Sequence, residues 1–180
     1  MARPGLTARR IVDTARTVAD EDGLEAVTLR RLADELGTGA ASLYRHIDNR
    51  ADLLTLLAAD FIEGYPLVPA GRRSPQEAAV RQWVAMRRYV AEHPWSATLI
   101  ASGGFHLEDA RAVADHCVEL LEATGLSRTR ALRCYRSLWH LLLGEALNAH
   151  AVGHLHDAPP EGGDFAWAAR ALIAGAASVR

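Results

Sequence analysis

At 180 residues, 49% hydrophobic and 23% charged, the chain has the composition of an ordinary globular protein, which excludes a disordered or membrane-like chain. No apolar run approaches the roughly 20 residues of a bilayer span, and the opening "MARPGLTARR" lacks the apolar centre of a secretory signal, so a cytoplasmic location without a membrane partner is expected. The formal net charge of −2 excludes a surface coated in cations, and two cysteines, Cys117 and Cys134, are too few for a disulfide framework.

Charge is unevenly spread. All 20 basic residues are arginine, and Arg3, Arg9, Arg10, Arg30, Arg31, Arg45 and Arg50 fall within the first 50 residues. A polyanion responds to such a local field rather than to the net charge.

Helical periodicity runs through the chain and no alternating strand pattern interrupts it, so the fold class is all-α. Thr7 is placed to cap a first helix with Ile11, Val12, Ala15, Val18 and Ala19 on one face, and Gly23 ends it. Thr28 opens a second helix, striped by Leu29, Leu32, Ala33 and Leu36, which Gly37 stops. After a short turn a third helix is expected over 40–46, with Leu43 and Ile47 pointing inward. Asn49 then caps a fourth, "RADLLTLLAADFIEG". The second and third helices form a helix-turn-helix.

"GYPLVPAGRRSP" is a compositional break between two bodies. The expected organisation is a helix-turn-helix domain over 1–50, a connecting helix over 49–63, and a second helical domain over 64–180. In that second body, helices are expected over 74–92, from Trp95, over 107–123, from 130 to about 152, and over 165–179.

The third helix is short and poorly apolar, unlike a helix made only for packing. Gly39, Ala40, Ala41 and Ser42 give it a small tip that can approach a major groove closely, and its N-terminus offers N–H groups to phosphate. Tyr44 and His46 can reach sugar-phosphate oxygens, and Arg45 can pair with phosphate or a base. Arg50 opens the next helix, where phosphate is also welcome, and Thr28 and Arg30 flank the same groove.

With these residues in view, "VTLRRLADELGTGAASLYRHIDNRADLL" resembles the DNA-binding signature of the tetracycline-repressor (TetR) family over about residues 6–57. Leu43, Tyr44 and His46 stand where that family has them. Ile47 replaces the usual Phe, Arg50 the usual Lys, Gly39 the common Ser cap, and Thr38 the usual hydrophobic residue. The resemblance implies a sequence-specific regulator of transcription, a repressor by expectation. Thr38, Ser42, Arg30 and contacts of Ala40 or Ala41 with thymine methyls, together with DNA shape, would supply the reading.

One such unit makes few contacts, so a homodimer on an inverted-repeat operator is expected. The last two long helices are the natural interface, through Leu138, Leu142, Leu147, Phe165, Trp167, Leu172 and Ile173. "AEHPW", "EATGLS" with "RALRCY", and "LLLGEAL" resemble the C-terminal domain of the tetracycline-repressor subclass, which implies a small-molecule effector cavity. Gln82, Trp83, Met86, Trp95, Phe105, Cys117, Trp139 and His140 are its candidate lining. The drug-magnesium histidines of that subclass would fall near Tyr65, Pro66 and Ile100, none of which ligates magnesium. A largely apolar effector is therefore expected, and no cofactor.

No glycine-rich phosphate loop or Gly-x-Ser-x-Gly elbow is present, so no enzyme is expected and no catalytic residue is named. His140, His150, His154 and His156 lack a cysteine or carboxylate that completes a metal set, so no metal site is expected either. The remaining alternative is a helical interaction module or ligand-binding protein of the same fold without a DNA-linked role.

Overall fold

The computed structural model describes residues 6–72, 74–102, 108–148 and 163–178, and among them it is helical with no strand. In chain order the helices are α1 (Ala8–Asp22), α2 (Leu29–Leu36), α3 (Ala40–Leu43), α4 (Arg50–Glu63), α5 (Pro75–Glu92), α6 (Trp95–Ala101), α7 (Glu108–Glu122), α8 (Arg128–Leu147) and α9 (Asp164–Ser178). The chain divides into two compact units: Met1–Gly64 with His93–Leu107, and Tyr65–Glu92 with Glu108–Arg180.

In the first unit, the Thr7 hydroxyl accepts from the Arg10 N–H at 3.2 Å, and α1 buries Ile11, Val12, Ala15, Val18 and Ala19, as the periodicity predicts. A 3-10 turn at Leu24–Ala26, for which the sequence carries no apolar stripe, then leads to Thr28, whose hydroxyl caps α2 through the Arg31 N–H. Leu43, Ile47, Leu53, Leu57 and Phe61 are fully buried. Each such side chain contributes about 1.5–3 kcal/mol against exposure.

A polar network fastens the helices of this unit. Asp60 of α4 is almost entirely buried and takes Arg16 of α1 at 2.6 Å and Arg9 at 2.9 Å. Removing the Asp60 carboxylate strands a partly buried guanidinium, which costs far more than breaking a surface pair. Pro94 cannot extend α5, so the chain turns there and α6 returns to α4. Phe61 meets the His93 and Trp95 rings edge-on at 5.8 and 5.5 Å, and both His93 Nδ1 and Trp95 Nε1 donate to Asp20 Oδ1.

The second unit packs α5, α7, α8 and α9 around Trp83, Met86, Cys117, Leu121, Leu138 and Leu142. Residues 65–70, which have no regular secondary structure, run across it as a strap. The Val68 N–H donates to Gln82 Oε1 and Gln82 Nε2 donates to the Pro66 carbonyl, each at 2.7 Å, while His116 Nε2 donates to the Val68 carbonyl at 3.1 Å. Arg87 and Glu145 tie α5 to α8. Helix α8 starts two residues earlier than the periodicity predicts, at Arg128, which pairs with Glu122 and Asp115.

Candidate nucleic-acid interface

Two devices hold the helix-turn-helix. At the end of α2, the Gly37 N–H donates to the Asp34 carbonyl and the Thr38 N–H to the Ala33 carbonyl, which is a Schellman closure. It needs Gly37 in the left-handed region, and Gly37 has φ 61° and ψ 40°. Leu43 and Ile47, four apart, then plug the far side of the segment into the core at 0% and 1% exposure.

The consequence is a presented surface. Gly39, Ala40, Ala41, Tyr44, Arg45 and His46 are exposed, and Thr38 and Ser42 are half-buried. The helix proper is shorter than the expected 40–46. It covers Ala40–Leu43, and Tyr44 to His46 continue as a turn closed by the His46 and Ile47 N–H groups on the Leu43 carbonyl. Gly39 occupies the cap position with ordinary extended backbone; its carbonyl accepts the Ser42 N–H at 2.8 Å, but no side chain caps the first turn of α3.

The flanking residues divide into outward and inward. Arg30 and Arg45 are exposed and form no ion pair among the described residues. Arg31 is tied back to Asp22 at 3.2 Å and Glu35 at 3.0 Å. The Thr28 oxygen accepts the capping N–H, but its own hydroxyl hydrogen remains available outward. Arg50 differs from the expectation. Its Nε donates to the Val27 carbonyl and its Nη2 to the Leu24 carbonyl, both at 3.0 Å, so it clamps the 3-10 turn to the start of α4. The sequence placed Arg50 correctly at a helix start but gave no sign of those two carbonyls.

In the second unit the structure brings together Trp83, Met86, Cys117 and Trp139 but not the whole candidate lining. Trp83 lies 5.6 Å from the Tyr135 ring and 6.2 Å from that of Trp139, and Tyr135 stacks on Trp139 with an 8° tilt. Cys117 Sγ meets Met86 Sδ at 3.5 Å, both buried. Gln82 is fully buried, with both amide groups engaged by the strap rather than facing a ligand. Trp95 belongs to the first unit, because the Pro94 turn carries it onto Phe61 and Asp20. His140 is exposed, and Phe105 lies outside the described residues.

Sequence reasoning missed Tyr135. Its spacing of four from Trp139 on α8 was the available signal. Burial drives the Tyr135 hydroxyl up to about 12 and the Cys117 thiol to about 12, so both stay neutral in a weakly polar interior.

Of the expected interface residues, Leu138, Leu142, Phe165 and Ile173 are buried within the subunit's own packing of α5, α7, α8 and α9. Leu147, Trp167 and Leu172 are exposed. Trp167 and Leu172 line an open groove of about 710 Å³ between α8 and α9. Among the described residues no three His, Cys, Asp or Glu side chains gather as a metal site, and no helix is long and apolar enough to cross a membrane. His150, His154 and His156 lie outside the described residues.

The family model described as "Bacterial regulatory proteins, tetR family" matches residues 11–57, which contain the whole helix-turn-helix. The chain is 32% identical over 158 residues to an uncharacterised HTH-type transcriptional regulator of Mycobacterium tuberculosis, covering 82% of this chain and 72% of that one. It is 40% identical over 98 residues to the HTH-type transcriptional repressor DrrR1 of Streptomyces coeruleorubidus, covering 52% of this chain and 35% of that one. The chain thus spans about a third of that repressor's length. The crystal structure of the Streptomyces coelicolor TetR family protein ActR in complex with (S)-DNPA matches with a TM-score of 0.77 at 26% identity, over 99% of each chain.

Proposed function

Because the chain belongs to the TetR family of bacterial transcriptional regulators, we propose that it is a cytoplasmic homodimeric repressor. It binds an inverted-repeat operator and is released from it by a small, largely apolar ligand. The observation that carries this reading is the presentation of residues 39–46: small at the tip, polar beyond it, and anchored from behind by Leu43 and Ile47. Ala40 and Ala41 permit close approach to base edges, while Tyr44, Arg45 and His46 meet the backbone. With so few long side chains at the tip, sequence reading leans on Thr38, Ser42, Arg30, thymine methyls and DNA shape.

The buried aromatic and sulfur-bearing side chains of the second unit support an apolar effector, and the ligand complex of ActR supports ligand response in this family. A ligand releases DNA only if it prefers one conformation of the pair over the other. Selection of bound fragments from random duplexes tests the reading. It should return a palindrome with half-sites one helical turn, or a multiple of it, apart, and a pool without enrichment would defeat it.

A further inference from the structure

The first turn of α4 is closed by its own side chains. Asn49 Oδ1 accepts the Asp52 N–H at 3.1 Å, and Asp52 Oδ2 reaches back to accept the Asp48 N–H at 3.0 Å. This reciprocal arrangement is akin to a capping box, and it occupies two N–H groups otherwise open to an anion at a helix start. Asp48 itself is exposed and in no ion pair among the described residues. Arg50, the cation of that turn, is turned back onto the Val27 and Leu24 carbonyls. Two carboxylates and one engaged guanidinium thus stand where the sequence pattern placed a grip on phosphate.

We infer that Asp48 limits the affinity of the DNA interface: its carboxylate repels the phosphates that Tyr44, Arg45 and His46 grip, on every duplex alike. This role rests on the DNA reading above and adds a repulsive contribution to it. Asp48 lies two residues beyond His46, and two peptide units span at most about 7.6 Å. The two side chains therefore leave the backbone less than a Debye length apart, which is about 8–10 Å at ordinary salt, and a charge at that range is only partly screened. Arg50, held by two carbonyls, does not offset it. Repulsion of this kind is blind to sequence, because every duplex carries the same phosphates. It lowers specific and non-specific affinity by one factor, and with it the coupling free energy that a ligand must supply to empty an operator.

Binding of the full chain to a duplex selected by the parent, and to a random duplex of the same length, tests this role across a salt series. Asp48→Asn keeps the side-chain shape and removes the charge. It should tighten binding to both duplexes about threefold or more, by the same factor, with thermal unfolding unchanged. Asp48→Lys should tighten binding further and steepen the slope of log K against log salt by about one unit per subunit. Glu63→Gln removes one charge at the other end of the 14 residues of α4, about 20 Å away, and should leave affinity within about twofold of the parent. A parent that binds the selected duplex while both Asp48 variants bind no tighter overturns the role and leaves the DNA reading standing. So does a gain in Glu63→Gln equal to that of Asp48→Asn, because net charge alone would then act. A gain confined to the selected duplex overturns the sequence-blind repulsion. A parent that binds neither duplex removes the DNA reading and the role of Asp48 with it.

Discussion

Two arginines five positions apart illustrate how position and partner separate recognition from scaffolding. Arg45 is exposed and forms no ion pair among the described residues, whereas Arg50 spends two guanidinium nitrogens on the Val27 and Leu24 carbonyls. Arg45→Ala should therefore leave the urea midpoint unchanged and lower the salt dependence of DNA binding by about one unit per subunit. Arg50→Ala should do the reverse, costing about 1–3 kcal/mol of stability because two part-buried carbonyls lose a charged donor. Equal stability of the two variants would contradict the division. Sequence alone put both at the DNA, since an arginine at a helix start reads the same whether it faces phosphate or a carbonyl 23 residues back.

At the scale of elements, the short α3 is the weak member of its unit and the part that does the presenting. It has one turn of helix, a glycine cap, and two buried anchors. At Gly39 the backbone is one that any residue adopts, and an added Cβ meets nothing within 4 Å. Gly39→Ser should thus supply a side-chain acceptor for the Ala41 N–H at a gain of a few tenths of a kcal/mol, seen as slower amide exchange at Ala41 and tighter DNA binding. Faster exchange there would show that the serine rotamer is not accommodated.

The elements themselves were largely legible. Thr7, Thr28 and Asn49 all cap where their side-chain chemistry indicates, and Gly23 and Gly37 end their helices. What was not legible is tertiary. Trp95 reads as pocket lining by composition, yet a proline turn delivers it to the first unit. Gln82 reads as a ligand amide, yet a strap 14 to 16 residues earlier uses both its groups. Leu138 and Ile173 read as interface, because a helix apolar on several sides does not say which side meets its own subunit.

Three buried groups of the second unit, Cys117, Cys134 and Tyr135, are held in neutral form, and they shape the response of the whole molecule to alkali. Burial raises the Cys117 thiol from 9.0 to about 12, the Cys134 thiol to about 11 and the Tyr135 hydroxyl to about 12. The stability held by these protons is complete below the unfolded values. It is lost as pH rises toward the folded ones, because the unfolded chain releases its protons first. Between pH 8 and 10.5 the unfolding free energy should fall by about 2 kcal/mol from Cys117 alone, read as a lower urea midpoint, and Cys117→Ala should flatten that fall. A midpoint constant across the range would mean that these groups titrate normally.

DNA reading is also a property of the whole molecule, and the proposed repressor requires residues 40–46 to be presented twice to one duplex. The most direct measurement is the affinity of the Tyr44→Ala/Arg45→Ala protein for a duplex selected by the parent, at fixed salt, alongside its thermal unfolding. Both substituted side chains are exposed, so unfolding should match the parent, while affinity should fall about 30-fold or more as contacts vanish from both half-sites. Parental affinity in a normally folded variant would contradict the assignment of this segment to DNA.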